Sequence, residues 1–408
     1  MASTNKVVQF DGEDQRSASG LSSSDDFEQA YREPLSKILD HTTWNQGEDL
    51  AEAYERMERE ITNALNEESR YHEQARKTLL KNIGTAPGTP HNAGVYQVRI
   101  EQLEKIHTSL LFNGGVEACD GTYVIHDTLP LTITQIGVSL VKYNGQHNSW
   151  VQRLFRRDLQ SKMSDPIDEL ATLLENRKQR AAQGQDGDKL SELASRGIMA
   201  FMERKILQQA SDAPWRMMHG SPAPYEILTG RWASDSKKIA KSLELIEWYA
   251  LEHKRFISIP SAPRKLDWLT LGYALKPMEF AIVHTIQPEI EHLLETGGYR
   301  NASGVRPAME RFARDVAPHI VIGVYRVSAY APPHLFYAQI DFAEKAAHIA
   351  MADSMLQEHR SFPMLIDLAD RLCAVNFGAS SFVSTVQMAY AKAGKPFLYL
   401  GERETRTR

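Results

Sequence analysis

The side chain with most to explain is Asp120. It interrupts the run Val116-Glu117-Ala118-Cys119-Asp120-Gly121-Thr122-Tyr123-Val124-Ile125-His126, whose small and β-branched residues predict a half-buried strand. An unpaired carboxylate buried there costs several kcal/mol unless hydrogen-bond donors or a cation meet it. A bound metal is one such partner; the other reading of Asp120-Gly121 is a simple turn or bulge. Glu203 lies beside the helical stripe Ile198, Met202 and Ile206, at a core edge that a metal could reach, unless it is an ordinary surface acid. His219 ends the strand-like segment from Pro214 to Ser221, where site residues commonly stand and where turn histidines also occur. Asp370 stands off the apolar stripe of a late helix, open to a metal, a basic neighbour or water.

The elements that must carry these groups follow from periodicity. In Leu131 to Tyr143, Ile136, Val138 and Leu140 alternate with Gln135, Gly137 and Ser139, which is strand patterning, and the short link from Asp127 to Pro130 predicts an antiparallel hairpin with Asp120 on its first strand. Upstream, Leu50, Tyr54, Met57, Ile61 and Leu65 make an apolar stripe on a charged helix and are expected to pack. Downstream, a helix through Leu243, Ile246 and Ala250 precedes a buried strand at Arg255 to Ile259, an alternation of helix and strand. His319 to Tyr330 and His334 to Phe342 predict a second hairpin, and two helices flank Gly378, the first with Leu365, Leu368, Leu372 and Val375 inward. The expected organisation is a flexible arm over 1–24, a helical region over 25–113, a core formed by 114–260 and 315–408, and an insertion over 261–314 packed against it. Arg153, Arg156 and Arg157 beside Trp150 and Phe155 suit a phosphate backbone with bases near the aromatics, or a solvated face.

The chain has 408 residues, 42% hydrophobic and 24% charged, with a formal net charge of -5. That charge excludes a global basic attraction to nucleic acid, so any such contact is local. Cys119 and Cys373 alone provide neither a disulfide framework nor a thiolate zinc cluster, and a reducing, cytoplasmic setting is expected. No apolar run approaches the roughly 18 to 20 residues of a membrane helix, and the N-terminus lacks the basic-then-apolar order of a signal peptide.

From about Val116 to Lys392 the ordered motifs resemble the NurA nuclease family. Its Asp-Gly-Ser strand is matched by Asp120-Gly121-Thr122, and its helical metal-binding glutamate by Glu203 in Met202-Glu203-Arg204-Lys205. A third motif, an apolar strand ending in Asp-Gly-Ser, is matched by Met217-Met218-His219-Gly220-Ser221, with histidine for aspartate. The fourth, Tyr-Pro-x-x-Leu-x-x-Ala-His, is matched by Phe362-Pro363-Met364-Leu365-Ile366-Asp367-Leu368-Ala369-Asp370, with aspartate for histidine. The two departures are reciprocal and leave the inventory of ligands unchanged. A lysine that the family often carries after the third motif is not evident at Ile259-Pro260-Ser261.

The resemblance implies an α/β fold, a ribonuclease H-like mixed sheet flanked by helices with an N-terminal helical region and an inserted segment. It implies a metal-dependent DNA nuclease subunit, using Mn2+ or Mg2+ and hydrolysing phosphodiester bonds. Its implied partners are a HerA-type hexameric ATPase and a second copy of itself, in DNA end processing or phage defence. Asp120 would bridge the metals, with Glu203 and Asp370 as further ligands, and His219 would act as ligand or proton carrier. Phe362, lacking a hydroxyl, would pack or stack, the latter as a nucleic-acid contact. The alternative is an inactive scaffold subunit of the same kind of complex.

Overall fold

The structure, a computed structural model, describes residues 24–44, 50–85, 88–128, 131–157, 167–172, 174–175, 192–229, 236–261, 266–296 and 305–397. The arm expected over 1–24 lies outside these but for Ser24. The chain divides into two compact units, Met1–Arg70 and Tyr71–Arg408. In the first, short helices at Ser24–Tyr31 and Leu35–Leu39 precede the long helix α1 (Leu50–Thr78), and Glu33 binds both Lys37 at 2.6 Å and Arg56 at 2.8 Å. The α1 stripe expected to pack is exposed: Leu50 43%, Met57 52% and Ile61 50%. Sequence periodicity reports only that one face is apolar. It does not report whether anything covers that face.

The second unit is built on a nine-stranded sheet in the order β1-β7-β8-β9-β6-β5-β2-β3-β4. The strands are β1 (Gly94–Gln97), β2 (Val116–Asp127), β3 (Leu131–Val141), β4 (His147–Arg157), β5 (Trp215–His219), β6 (Phe256–Ile259), β7 (Glu279–Thr285), β8 (Ile320–Arg326) and β9 (His334–Gln339). β5 runs parallel to both β2 and β6, and the other pairs are antiparallel. This is the expected mixed α/β sheet flanked by helices, with both hairpins in place. The segment expected as an insertion supplies β7, an interior strand between β1 and β8. Its run Glu279-Phe280-Ala281-Ile282-Val283 is buried throughout, as a strand covered on both faces must be.

Further helices cover the two faces: α2 (Glu192–Ala210), α3 (Gln287–Thr296), α4 (Ala343–Ser354), α5 (Met364–Phe377) and α6 (Ala379–Lys392). Successive strand residues point to opposite faces, and the two sides of β2 and β3 accordingly join different cores. Val116 and Ala118 pack with α4 and α5, whereas Cys119, Val138 and Leu140 pack with Leu207 of α2. Two glycines let helices approach closely. A Cβ on Gly121 would lie 2.4 Å from Glu203 Oε1 of α2, and one on Gly137 would lie 2.3 Å from the Phe377 ring of α5.

Candidate active site

Asp120 pairs with Ser139 and Gly121 with Val138 in an unbroken register, so the Asp-Gly pair is regular strand and not a turn or bulge. Asp120 is 4% exposed and faces the α5 side. β5 runs beside β2 with Met218 level with Cys119, which sets His219, at the strand end, on the same face as Asp120. The His219 Nδ1 lies 3.2 Å from Asp120 Oδ1, and its Nε2 lies 2.9 Å from the Ser261 hydroxyl and 3.4 Å from the Ser261 amide nitrogen. A carboxylate only accepts and an amide N–H only donates, so the proton of the neutral ring sits on Nδ1. Gly220, with φ of +82°, turns the chain out of the strand directly after the imidazole, a conformation other residues rarely adopt.

Glu203 comes from the opposite face. Its carboxylate occupies the space that a side chain at position 121 would fill, which gives the glycine beside Asp120 a physical reason. The sequence placed Glu203 beside an apolar stripe at the core edge; in the fold Ile198, Met202 and Ile206 are half-buried, while Glu203, Arg204 and Leu207 form the most buried face of α2. Burial, with the Asp120 charge nearby, pushes the Glu203 carboxyl up to about 7 against the opposing pull of Arg204 and His219. Arg204, 2% exposed, lies with Nη1 3.3 Å from Glu203 Oε2 and also donates to the carbonyls of Ala200, Ser221 and Pro222. It ties the helix to the loop after His219.

Asp370, on α5, is exposed; its partial burial and the Asp120 charge raise its carboxyl, and His219 lowers it. Burial opposes a charge on His219, yet the hydrogen bond to Asp120 and the charges of Asp120, Glu203 and Asp370 hold its pKa above the ordinary value. Glu203, His219 and Asp370 therefore each feel the Asp120 charge, although the four residues come from β2, α2, β5 and α5.

Their chemistry is that of a hard-cation site, rich in carboxylate oxygens with one imidazole. Burial lifts Glu203 and Asp370 first and the Asp120 charge adds to it; that like-charge part is what a divalent cation would relieve. The placement is less complete: among the described residues no group of three or more His, Cys, Asp or Glu side chains is set to hold a metal ion. Asp120 is engaged with His219, and Glu203 with Arg204.

Other expectations are redrawn by the fold. Phe362 is 1% exposed and sits edge-on to His219, with ring centroids 6.2 Å apart, and beneath the Arg360 guanidinium at 4.8 Å, so it is packing and not a nucleic-acid contact. Strand alternation divides the described part of the basic cluster, Arg153 and Phe155 to one side and Trp150 to the other. Arg153 donates to Gln135 at 2.7 Å, and Gln135 donates to the Phe377 carbonyl at 2.8 Å. The side chains of Arg156 and Arg157 lie outside what the structure describes. On α5 the buried residues are Leu365, Ile366, Ala369 and Cys373, while Val375, expected inward, is 74% exposed. The face that the helix buries carries the small residues Ala369 and Cys373, and Phe377 at its end meets Gly137. Sequence reasoning missed Arg204 and Ser261. An arginine directly after the site glutamate was the available signal for the first; for the second there was none beyond its place where the lysine was sought.

No protein-family model matches the chain, and no curated protein matches it. Among solved structures it is similar to the NurA nuclease from Sulfolobus solfataricus, at 9% identity and a TM-score of 0.40 over 83% of this chain and 98% of that one. A NurA structure with manganese gives 9% identity and a TM-score of 0.43 over 82% and 98%. An endonuclease V from Ciona intestinalis, in complex with a 24mer DNA containing an inosine followed by a ribo-adenosine, gives 12% and 0.24 over 68% and 94%. Likeness at this level leaves the chemistry to be read from the residues themselves.

Proposed function

We propose that this chain is a metal-dependent nuclease that hydrolyses phosphodiester bonds of DNA, with Asp120, Glu203, His219 and Asp370 as its catalytic residues. The observation that carries the reading is the convergence on Asp120 of three groups from other elements: His219 at 3.2 Å, Glu203 in the gap at Gly121, and Asp370, which feels the Asp120 charge. Perturbed titratable groups gathered with a specific charge partner are a functional-site signal. Asp120, Glu203 and Asp370 would hold Mn2+ or Mg2+ through carboxylate oxygens. When bound, such an ion neutralises charge on the scissile phosphate. Asp120 fixes the imidazole through Nδ1, leaving Nε2 as the edge that exchanges protons, and a raised pKa suits His219 to protonate the leaving oxygen near neutral pH.

The full proposal is a cytoplasmic homodimer serving a HerA-type hexameric ATPase in DNA end processing or phage defence, which accords with a net charge of -5 if the ATPase holds the duplex. No described helix is long and apolar enough to cross a membrane. In a cleavage assay on linear DNA with manganese and the ATPase, Asp120→Ala should lose activity by at least two orders of magnitude, as expected for a group holding the metal. Equal degradation by both proteins sinks the proposal.

A second reading, an inactive scaffold subunit, is favoured by the engagement of Glu203 with Arg204 and the lack of an assembled triad of ligands among the described residues. Calorimetry separates the two: manganese uptake that disappears in Asp120→Ala supports the enzyme. Normal assembly on the ATPase without uptake supports the scaffold.

A further inference from the structure

Two arginines of opposite character stand beside the candidate site. Arg204 is 2% exposed, and its guanidinium is committed to Glu203 and to the carbonyls of Ala200, Ser221 and Pro222. Arg360, in the link between α4 and α5, has a side chain 53% exposed. Its Nη1 donates to Asp367, and its guanidinium lies 4.8 Å from the centroid of the Phe362 ring. Both contacts lead to the site. Asp367 and Asp370 are three residues apart on α5, a spacing that makes them neighbours on the helix surface. Phe362 is the ring set edge-on to His219. Arg360 is therefore on the α5 side of the sheet, where Asp120 and His219 meet.

The backbone holds this guanidinium in place. Ser361, 1% exposed and with φ of +48°, turns the chain between the outward Arg360 and the inward Phe362. A residue other than glycine persists in that conformation only where its surroundings over-determine it, and such strain gathers at functional sites. Here the Ser361 amide donates to the Gln357 carbonyl at 2.7 Å, and His334 Nε2 donates to the Arg360 carbonyl at 2.8 Å. Stacking on Phe362 then orients the side chain through its π-face, without using its N–H groups.

We propose that Arg360 binds a phosphate of the DNA strand lying across the candidate site, next to Asp370. This rests on the nuclease reading and deepens it by naming the cation that meets the charge of the substrate. A guanidinium presents five N–H donors in a fixed fork. Asp367 takes Nη1, and Nε and Nη2 have no partner among the described residues, so they offer the paired donors with which arginine grips two phosphate oxygens. The electrostatics require such a group. Asp120 and Asp370 repel an incoming phosphate, and a chain of net charge -5 exerts no general attraction on nucleic acid. Arg204 is too deeply buried to supply the missing charge.

The test titrates a short fluorescent single-stranded oligonucleotide with the full chain at a series of salt concentrations without added metal, alongside cleavage of linear DNA with manganese. Arg360→Ala should weaken binding by about tenfold at low salt, the scale of one charged hydrogen-bonded contact. The slope of log affinity against log salt should become shallower by about 0.7, the share of one phosphate on a single strand. Arg360→Lys, which keeps the charge and loses the fork, should retain the slope. Asp367→Asn, which releases Nη1 and removes a carboxylate from beside the phosphate, should bind more tightly than wild type. A wild type that does not bind the strand, or equal slopes for wild type and Arg360→Ala, overturns the proposal even where wild type cleaves DNA. Should Arg360→Ala fail to fold, Asp367→Asn decides: binding no tighter than wild type overturns the proposal. The expected slopes without any cleavage would sink the nuclease reading and leave Arg360 as a phosphate contact.

Discussion

Glu203 concentrates the chemistry of the site in one residue. Its carboxyl is lifted from the ordinary 4.5 to about 7, chiefly by burial. Because the folded value lies above the unfolded one, the folded chain holds this proton between about 4.5 and 7; the associated stability is fully present below that window and is lost as pH rises through it. Glu203→Gln removes the titration. Urea denaturation should therefore show the wild type losing stability relative to Glu203→Gln between pH 5 and pH 8, by about 1 kcal/mol or more, and manganese should restore part of the loss in the wild type alone. Parallel pH profiles for the two proteins would show that the carboxyl is not perturbed. His219 acts in the same direction: its raised pKa keeps it charged, and paired with Asp120, to higher pH than an ordinary histidine, and that stability too is lost as pH rises through the folded value.

Helix α5 is the element that brings Asp370 to β2, and its seating rests on two contacts. At its start, Asp353 at the end of α4 accepts from the Leu365 amide at 3.0 Å and from the Tyr143 hydroxyl, and burial lifts that carboxyl to about 7. At its end, Phe377 lies over Gly137 of β3, where no side chain fits. Gly137→Ala should cost about 1–3 kcal/mol by overpacking, read as a lower denaturation midpoint, and should also displace Asp370 and weaken manganese binding. An unchanged midpoint would mean that α5 is not clamped there. The reading of α5 from sequence chose Leu368, Leu372 and Val375 as inward, because leucine and valine outweigh alanine and cysteine in any count of apolar residues. Packing chose Ala369 and Cys373, since only small residues let a helix lie close to strands.

At the scale of the molecule, the apolar stripe of α1 is exposed along Leu50, Met57 and Ile61. Ile61→Gln should then change stability by no more than about 0.5 kcal/mol, the range of ordinary surface substitutions. A larger loss in thermal denaturation would show that the stripe is covered in solution. Farther along the helix, Arg76 makes a bidentate pair with Glu279 of β7, at 2.6 and 3.0 Å, which fastens the start of the second unit to its sheet.

The sequence alone determined the hairpins, the strand ending in His219 and the candidacy of all four site residues, because alternation, a buried acid and ordered short motifs are local signals. Tertiary structure decided the rest. It brought Glu203 through the gap at Gly121 from the other side of the sheet, set Arg204 against it, and drew the supposed insertion into the sheet as β7. It also sealed Phe362 inside the core. Each of these depends on which surfaces meet across the sheet, and residues far apart along a chain carry no record of that encounter in their own neighbourhoods.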